Sequence, residues 1–103
     1  MILTTTDGQK NLPRYLATAF SIAKKGQNGR MDFVLHDGRV FRAEGVRAGP
    51  MCEIHIHNDG IFERLLREGQ LGFCDAYLEG QWSTPDLQAF MDYIHADNDE
   101  VFD

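Results

Sequence analysis

The 103-residue sequence predicts an α+β domain, with helices on one face of an antiparallel or mixed sheet. Three observations carry that prediction. "RMDFVLHDGRVFRAEG" alternates apolar and polar residues on both sides of an Asp-Gly turn, as a β-hairpin does. "MCEIHIH" alternates again, with Cys52, Ile54 and Ile56 on one side and Glu53, His55 and His57 on the other. Around these strands lie three stretches whose apolar residues recur at helical spacing.

Residues 1–10, "MILTTTDGQK", read as a loose arm, and residues 11–96 as a single domain. A first helix is expected from Leu12, with Asn11 as cap, Pro13 in the first turn and Tyr15, Leu16, Ala19, Phe20 and Ala23 along its apolar side. It should stop at Gly26, after Lys24 and Lys25. The hairpin follows, with Met31, Phe33 and Leu35 facing the core, and then the 51–57 strand. "NDGIFERLLREG" predicts a second helix, capped by Asn58 or Asp59, burying Ile61, Phe62, Leu65 and Leu66, and ended by Gly69. "STPDLQAFMDYIH" predicts a third, with Thr84 as cap, Pro85 in the first turn and Leu87, Phe90, Met91 and Ile94 buried. The acidic tail, residues 97–103, reads as the start of a linker.

Composition excludes several functions. No apolar run approaches the ~20 residues of a membrane span, and the opening residues lack the layout of a secretory signal, so a cytoplasmic chain is expected. Residues 1–50 hold eight basic and four acidic side chains, residues 51–103 two basic and twelve acidic, for a net charge of −6. The basic residues are dispersed, which argues against nucleic acid as a partner. Cys52 and Cys74 are too few for a disulfide framework or zinc motif; both read as reduced thiols, and Cys74 as a buried structural one. His55 and His57 are weak candidates for a metal, because no third His or Cys ligand accompanies them. "GQLG" is no phosphate loop, since no Gly-Lys-Ser/Thr follows. No catalytic residue and no cofactor site are predicted in this chain.

What stands out is "LLREGQLGFCDAYLEGQW", dense in aromatic residues. Phe73, Tyr77, Leu78 and Trp82, with Phe20, Phe90 and Met91, suit an acyl-chain wall and suit an ordinary core equally in kind. Core is the commoner use.

The run "LLREGQLGFCDAYLEGQWSTPDLQAFMDYI" resembles the N-terminal domain of the cyclopropane-fatty-acyl-phospholipid synthase family, which are S-adenosylmethionine-dependent methyltransferases. Members typically show a helix ending in Gly, then Leu-Gly, a short acidic-aromatic helix, Tyr-(Met/Leu)-(Asp/Glu)-Gly-x-Trp and an Asp-Leu helix. Gly69, Leu71, Gly72, Tyr77, Leu78, Glu79, Gly80, Trp82, Asp86 and Leu87 match that pattern, and the likeness extends over about residues 28–95.

The resemblance implies a sterol-carrier-protein-like lipid-binding or substrate-presenting accessory domain ahead of a catalytic methyltransferase domain in cis. Its ligand would be a phospholipid or fatty acyl chain, with Phe20, Phe73, Tyr77, Leu78, Trp82, Phe90 and Met91 as lining. Peripheral contact with the inner membrane face follows from the same reading. S-adenosylmethionine would belong to the catalytic domain, because the family's Gly-rich cofactor motif does not occur in these residues. A docking module without ligand, a homodimer and a free-standing lipid carrier stay open as alternatives.

Overall fold

A computed structural model describes residues 1–96. The predicted tail, 97–103, lies outside the described residues. The chain forms β1 (Ile2–Leu3), α1 (Leu16–Ala23), β2 (Asn28–Val34), β3 (Val40–Glu44), β4 (Arg47–Ile56), α2 (Ile61–Leu78), β5 (Trp82–Ser83) and α3 (Leu87–Ile94). Its sheet is mixed, in the order β1-β3-β2-β4-β5.

The Asp-Gly turn closes β2 onto β3 in antiparallel register, with Phe33 opposite Phe41 and Asp32 opposite Arg42. Chain direction then decides the topology. β3 returns to the start of β2, and only Gly45 and Val46 separate it from β4, which runs parallel to β2 on the other side. So short a link works because β3 and β4 are antiparallel to each other, with β2 between them. The amide of Gly45 donates to Gly29 O (2.8 Å) and that of Arg47 to Gln27 O (3.1 Å), holding the chain tightly around the end of β2. β4 bulges there: three residues of β2, from Asn28 to Arg30, match five of β4, from Arg47 to Met51.

In-register neighbours share a face, so Met31, Phe33, Phe41, Ala43, Cys52, Ile54, Ile56 and Trp82 all point to one side. The helices cover that side, with α1 against β3 and α2, and α3 against β4 and β2. Two aromatic groups fill the space between. Phe20 of α1 meets Phe41 and Phe33 edge-on, at ring separations of 5.5 and 6.4 Å, and Phe33 meets Phe62 at 5.8 Å.

Several element boundaries differ from expectation. The first ten residues are not wholly an arm, since Ile2 and Leu3 pair in parallel with Val40 and Phe41. α1 starts at Leu16 rather than Leu12, because Asn11 and Tyr15 both take positive φ (55° and 68°). The Arg39 guanidinium donates to Lys10 O (2.8 Å) and to Asn11 O (2.9 Å), and the second is the carbonyl that would accept the first bond of a helix capped at Asn11. α1 also ends at Ala23, short of Gly26, through tight turns at Lys25 and Gly26. Asp86, not Thr84, caps α3, its carboxylate accepting from Ala89 N at 3.1 Å. The buried stripe of α3 is Phe90, Tyr93 and Ile94, leaving Leu87 and Met91, both expected inside, exposed.

Gly69 does take a positive φ, but it kinks the helix rather than ending it. Its φ of 68° and ψ of −151° lie where an L-residue is strained, and the chain is helical on both sides. An added Cβ would meet nothing within 4 Å. Gly69→Ala should therefore cost about 1–3 kcal/mol through backbone strain alone, read as a lower denaturation midpoint with an unchanged slope.

Candidate functional surfaces

Three groups of side chains stand out, and the first is the knot around Trp82. Trp82 is fully buried, stacks on Phe73 at 4.4 Å, and donates its indole N–H to Phe73 O at 2.8 Å. Phe90 and Tyr77 close round it at 5.1 and 4.9 Å, and Phe73 also meets Phe90 at 5.9 Å. The sequence-predicted lining residues are thus divided. Phe73, Tyr77, Trp82 and Phe90 pack on one another, whereas Phe20 makes its ring contacts with Phe33 and Phe41 elsewhere in the same core. Leu78 is 81% exposed, and Met91 is also at the surface.

The second group is the outer side of α2. Leu71 (80% exposed) and Leu78 are seven residues apart, two helical turns, and so lie on one stripe. Cys74 lies between them and is exposed, which corrects its expected burial; Gly69 rotates this segment so that Phe73 and Ala76 take the inner positions. Cys52 is the buried thiol, pushed up to about 12 by burial, with the Asp32 and Glu53 charges adding to it. Leu65 is only half-buried and Leu66 is exposed, again fewer inward residues than helical spacing from Ile61 predicts.

Arg64 ties the kinked helix together. Its guanidinium donates to Glu79 (2.9 Å) and Gln81 (3.3 Å) beyond the kink and reaches Glu68 (3.4 Å) before it. The hydrogen bond from Arg64 holds the Glu79 carboxyl below its ordinary value of 4.5, and Arg39 likewise lowers Asp37. An unfolded chain binds protons on these groups at higher pH than the folded one. Stability from both pairs is therefore present above the ordinary carboxylate range and lost as pH falls through the lowered folded values. Glu79→Gln should flatten that acid limb in urea titrations at a series of pH values. A limb as steep as wild type would show the contact contributes nothing, as many exposed pairs do.

The third group covers the outer sheet face, which no helix covers among the described residues. Asp32 is only 4% exposed there, and Arg42 grips both its oxygens, Nε at 3.0 Å and Nη2 at 3.1 Å. Sequence reading missed this pair, although hairpin register around the Asp-Gly turn sets residue 32 opposite residue 42. Beside it, His55 Nε2 lies 2.8 Å from Glu53, while His57 Nε2 lies 2.7 Å from Ser83 Oγ. The two imidazoles serve different partners. No group of three His, Cys, Asp or Glu side chains suited to a metal occurs among the described residues. Nor is any described helix long and apolar enough to cross a membrane.

Comparison with known proteins adds no relative: no family model matches the chain, and neither a curated protein nor a solved structure does.

Proposed function

We propose that this chain is the N-terminal accessory domain of a cyclopropane-fatty-acid-synthase-like methyltransferase, and that it works by docking onto the catalytic domain rather than by enclosing an acyl chain. The observation that carries the docking mode is the division of the apolar residues. The aromatic side chains first considered as acyl lining are packed against each other, while Leu71 and Leu78 face outward on one helix. The resemblance in residues 69–87 supports the family reading, and three of its matched positions have structural work here: Gly69 kinks α2, Trp82 anchors the aromatic knot, Asp86 caps α3.

A protein surface suits the α2 stripe better than an anionic membrane does. Glu68, Asp75 and Glu79 border it, and Arg64 and Arg67 are already paired with Glu79, Glu63 and Glu68. Covering two leucines contributes about 1.5–3 kcal/mol each, enough to hold a domain that is also tethered in cis. The lipid would then be bound by the catalytic domain, with this domain orienting it.

The test titrates the chain against the catalytic domain of a family methyltransferase stripped of its own N-terminal domain. Wild type should bind, and Leu71→Asp and Leu78→Asp should each weaken binding by about tenfold or more, since 1.4 kcal/mol is a factor of ten. Saturable one-to-one binding of a fluorescent fatty acid, without binding to the catalytic domain, would restore the enclosed-lipid reading. Flotation with vesicles in place of either result would move the function to the membrane surface.

A further inference from the structure

From Glu68 to Ala96 the chain holds five carboxylate side chains and no lysine or arginine. Four of the five have partners. Arg64 and Arg67 engage Glu68, and Arg64 also holds Glu79 at 2.9 Å. Asp86 accepts from Ala89 N, and Asp92 from the Gln88 amide at 2.8 Å. Asp75 is the exception: it is exposed, and its carboxylate makes no ion pair or hydrogen bond among the described residues.

Position 75 is a poor place for an unpaired carboxylate in the free domain. It lies in the last turn of α2, where the aligned peptide dipoles present their negative end and no basic side chain offsets it. Glu79 follows four residues later, so two like charges sit one turn apart. Of the two, Arg64 pairs with Glu79 alone. For the fold by itself, an uncharged residue would serve better.

What Asp75 adjoins is the outer stripe of α2. Leu71 precedes it by four residues and Leu78 follows it by three, spacings that make both its neighbours on the helix surface. Both leucines are exposed. We propose that Asp75 is the charged anchor of the docking surface, accepting hydrogen bonds from a lysine or arginine side chain of the catalytic domain as Leu71 and Leu78 are covered. This inference rests on the docking reading above and adds the chemistry of the partner's face, a cation set among apolar groups. Covering the leucines also desolvates the carboxylate, so a partner without a cation would leave a charge unpaired. A contact of α2 with α2 of a second copy would bring two acidic faces together, which opposes self-association through this stripe.

The test extends the titration against the family catalytic domain to Asp75→Asn, with urea unfolding of the free chain alongside. Asp75→Asn should bind about tenfold more weakly than wild type, as for a lost hydrogen bond to a charged group. The gap should narrow between about 0.1 M and about 1 M salt, as the screening length falls from ~10 to ~3 Å. In the free chain the same substitution should leave the urea midpoint unchanged or raise it, because it removes the repulsion from Glu79 and from the helix end. Weaker binding together with a lower midpoint would assign Asp75 a structural role and overturn the proposal. Binding of Asp75→Asn as tight as wild type, with Leu71→Asp and Leu78→Asp still weak, would overturn it and leave the docking reading intact. Failure of wild type to bind would remove the docking reading and this inference with it.

Discussion

Trp82→Ala should cost about 3–5 kcal/mol, the range for deleting a buried aromatic side chain. Few single changes in this chain should do more. The indole is almost wholly buried, stacked on Phe73, edged by Phe90 and Tyr77, and hydrogen-bonded to Phe73 O. Through these contacts it joins α2, β5 and α3, which otherwise share little. A domain of this size is stable by about 5–15 kcal/mol, so the variant should lose about a fifth or more of its stability and melt tens of degrees lower. Trp82→Phe keeps a ring but removes the indole N–H donor to Phe73 O, a hydrogen bond worth about 0.5–1.5 kcal/mol. Circular dichroism during urea unfolding measures both, since Trp82 is the chain's one tryptophan and its fluorescence is lost with it. A Trp82→Ala variant as stable as wild type would mean that the aromatic residues line a cavity instead of filling a core.

Gly29→Ala should be of similar severity for a different reason. A Cβ at position 29 would lie 2.0 Å from Pro50 O, and both are backbone-fixed where β4 bulges past the start of β2. The φ of +83° adds the left-handed penalty of about 1–2 kcal/mol. Neither strand can retreat, because Gly45 N and Arg47 N hold the crossing from the other side. The expected loss is on the order of 3 kcal/mol or more, as for overpacking at a rigid site. Gly69→Ala is the matched control, equally positive in φ but open in space. If the two variants were equally stable, the close crossing at Pro50 would not be a rigid feature of the fold.

Local pattern made much of this architecture legible. The hairpin register, the inward Cys52–Ile54–Ile56 face and the positive φ at Gly69 all follow from alternation or turn chemistry within a few residues. What local pattern could not supply was anything decided by distant partners. Whether β4 runs parallel or antiparallel to its neighbour depends on which side of β2 the chain passes, and a two-residue link permits either. The late start of α1 goes with a bond from Arg39, more than twenty residues away, to the carbonyl of Asn11. The exposure of Cys74 depends on the rotation introduced at Gly69. The hollow lined by Arg30, Cys52, Glu53, Thr84, Asp86 and Ala89 draws on β2, β4, the 84–86 loop and α3, so no spacing in the sequence announces it.

The two cysteines provide the most direct measurement of the docking account. Cys74 lies on the proposed contact stripe between Leu71 and Leu78, whereas Cys52 is buried under α3 with its thiol held neutral. Alkylation by iodoacetamide, followed by mass spectrometry of each cysteine peptide, should modify Cys74 readily in the free chain and leave Cys52 largely unreacted. Addition of the family catalytic domain should slow Cys74 alkylation severalfold, with Cys52 unchanged as the internal control. If Cys74 reacts at the same rate with and without that domain, the outer face of α2 is not the docking surface proposed above.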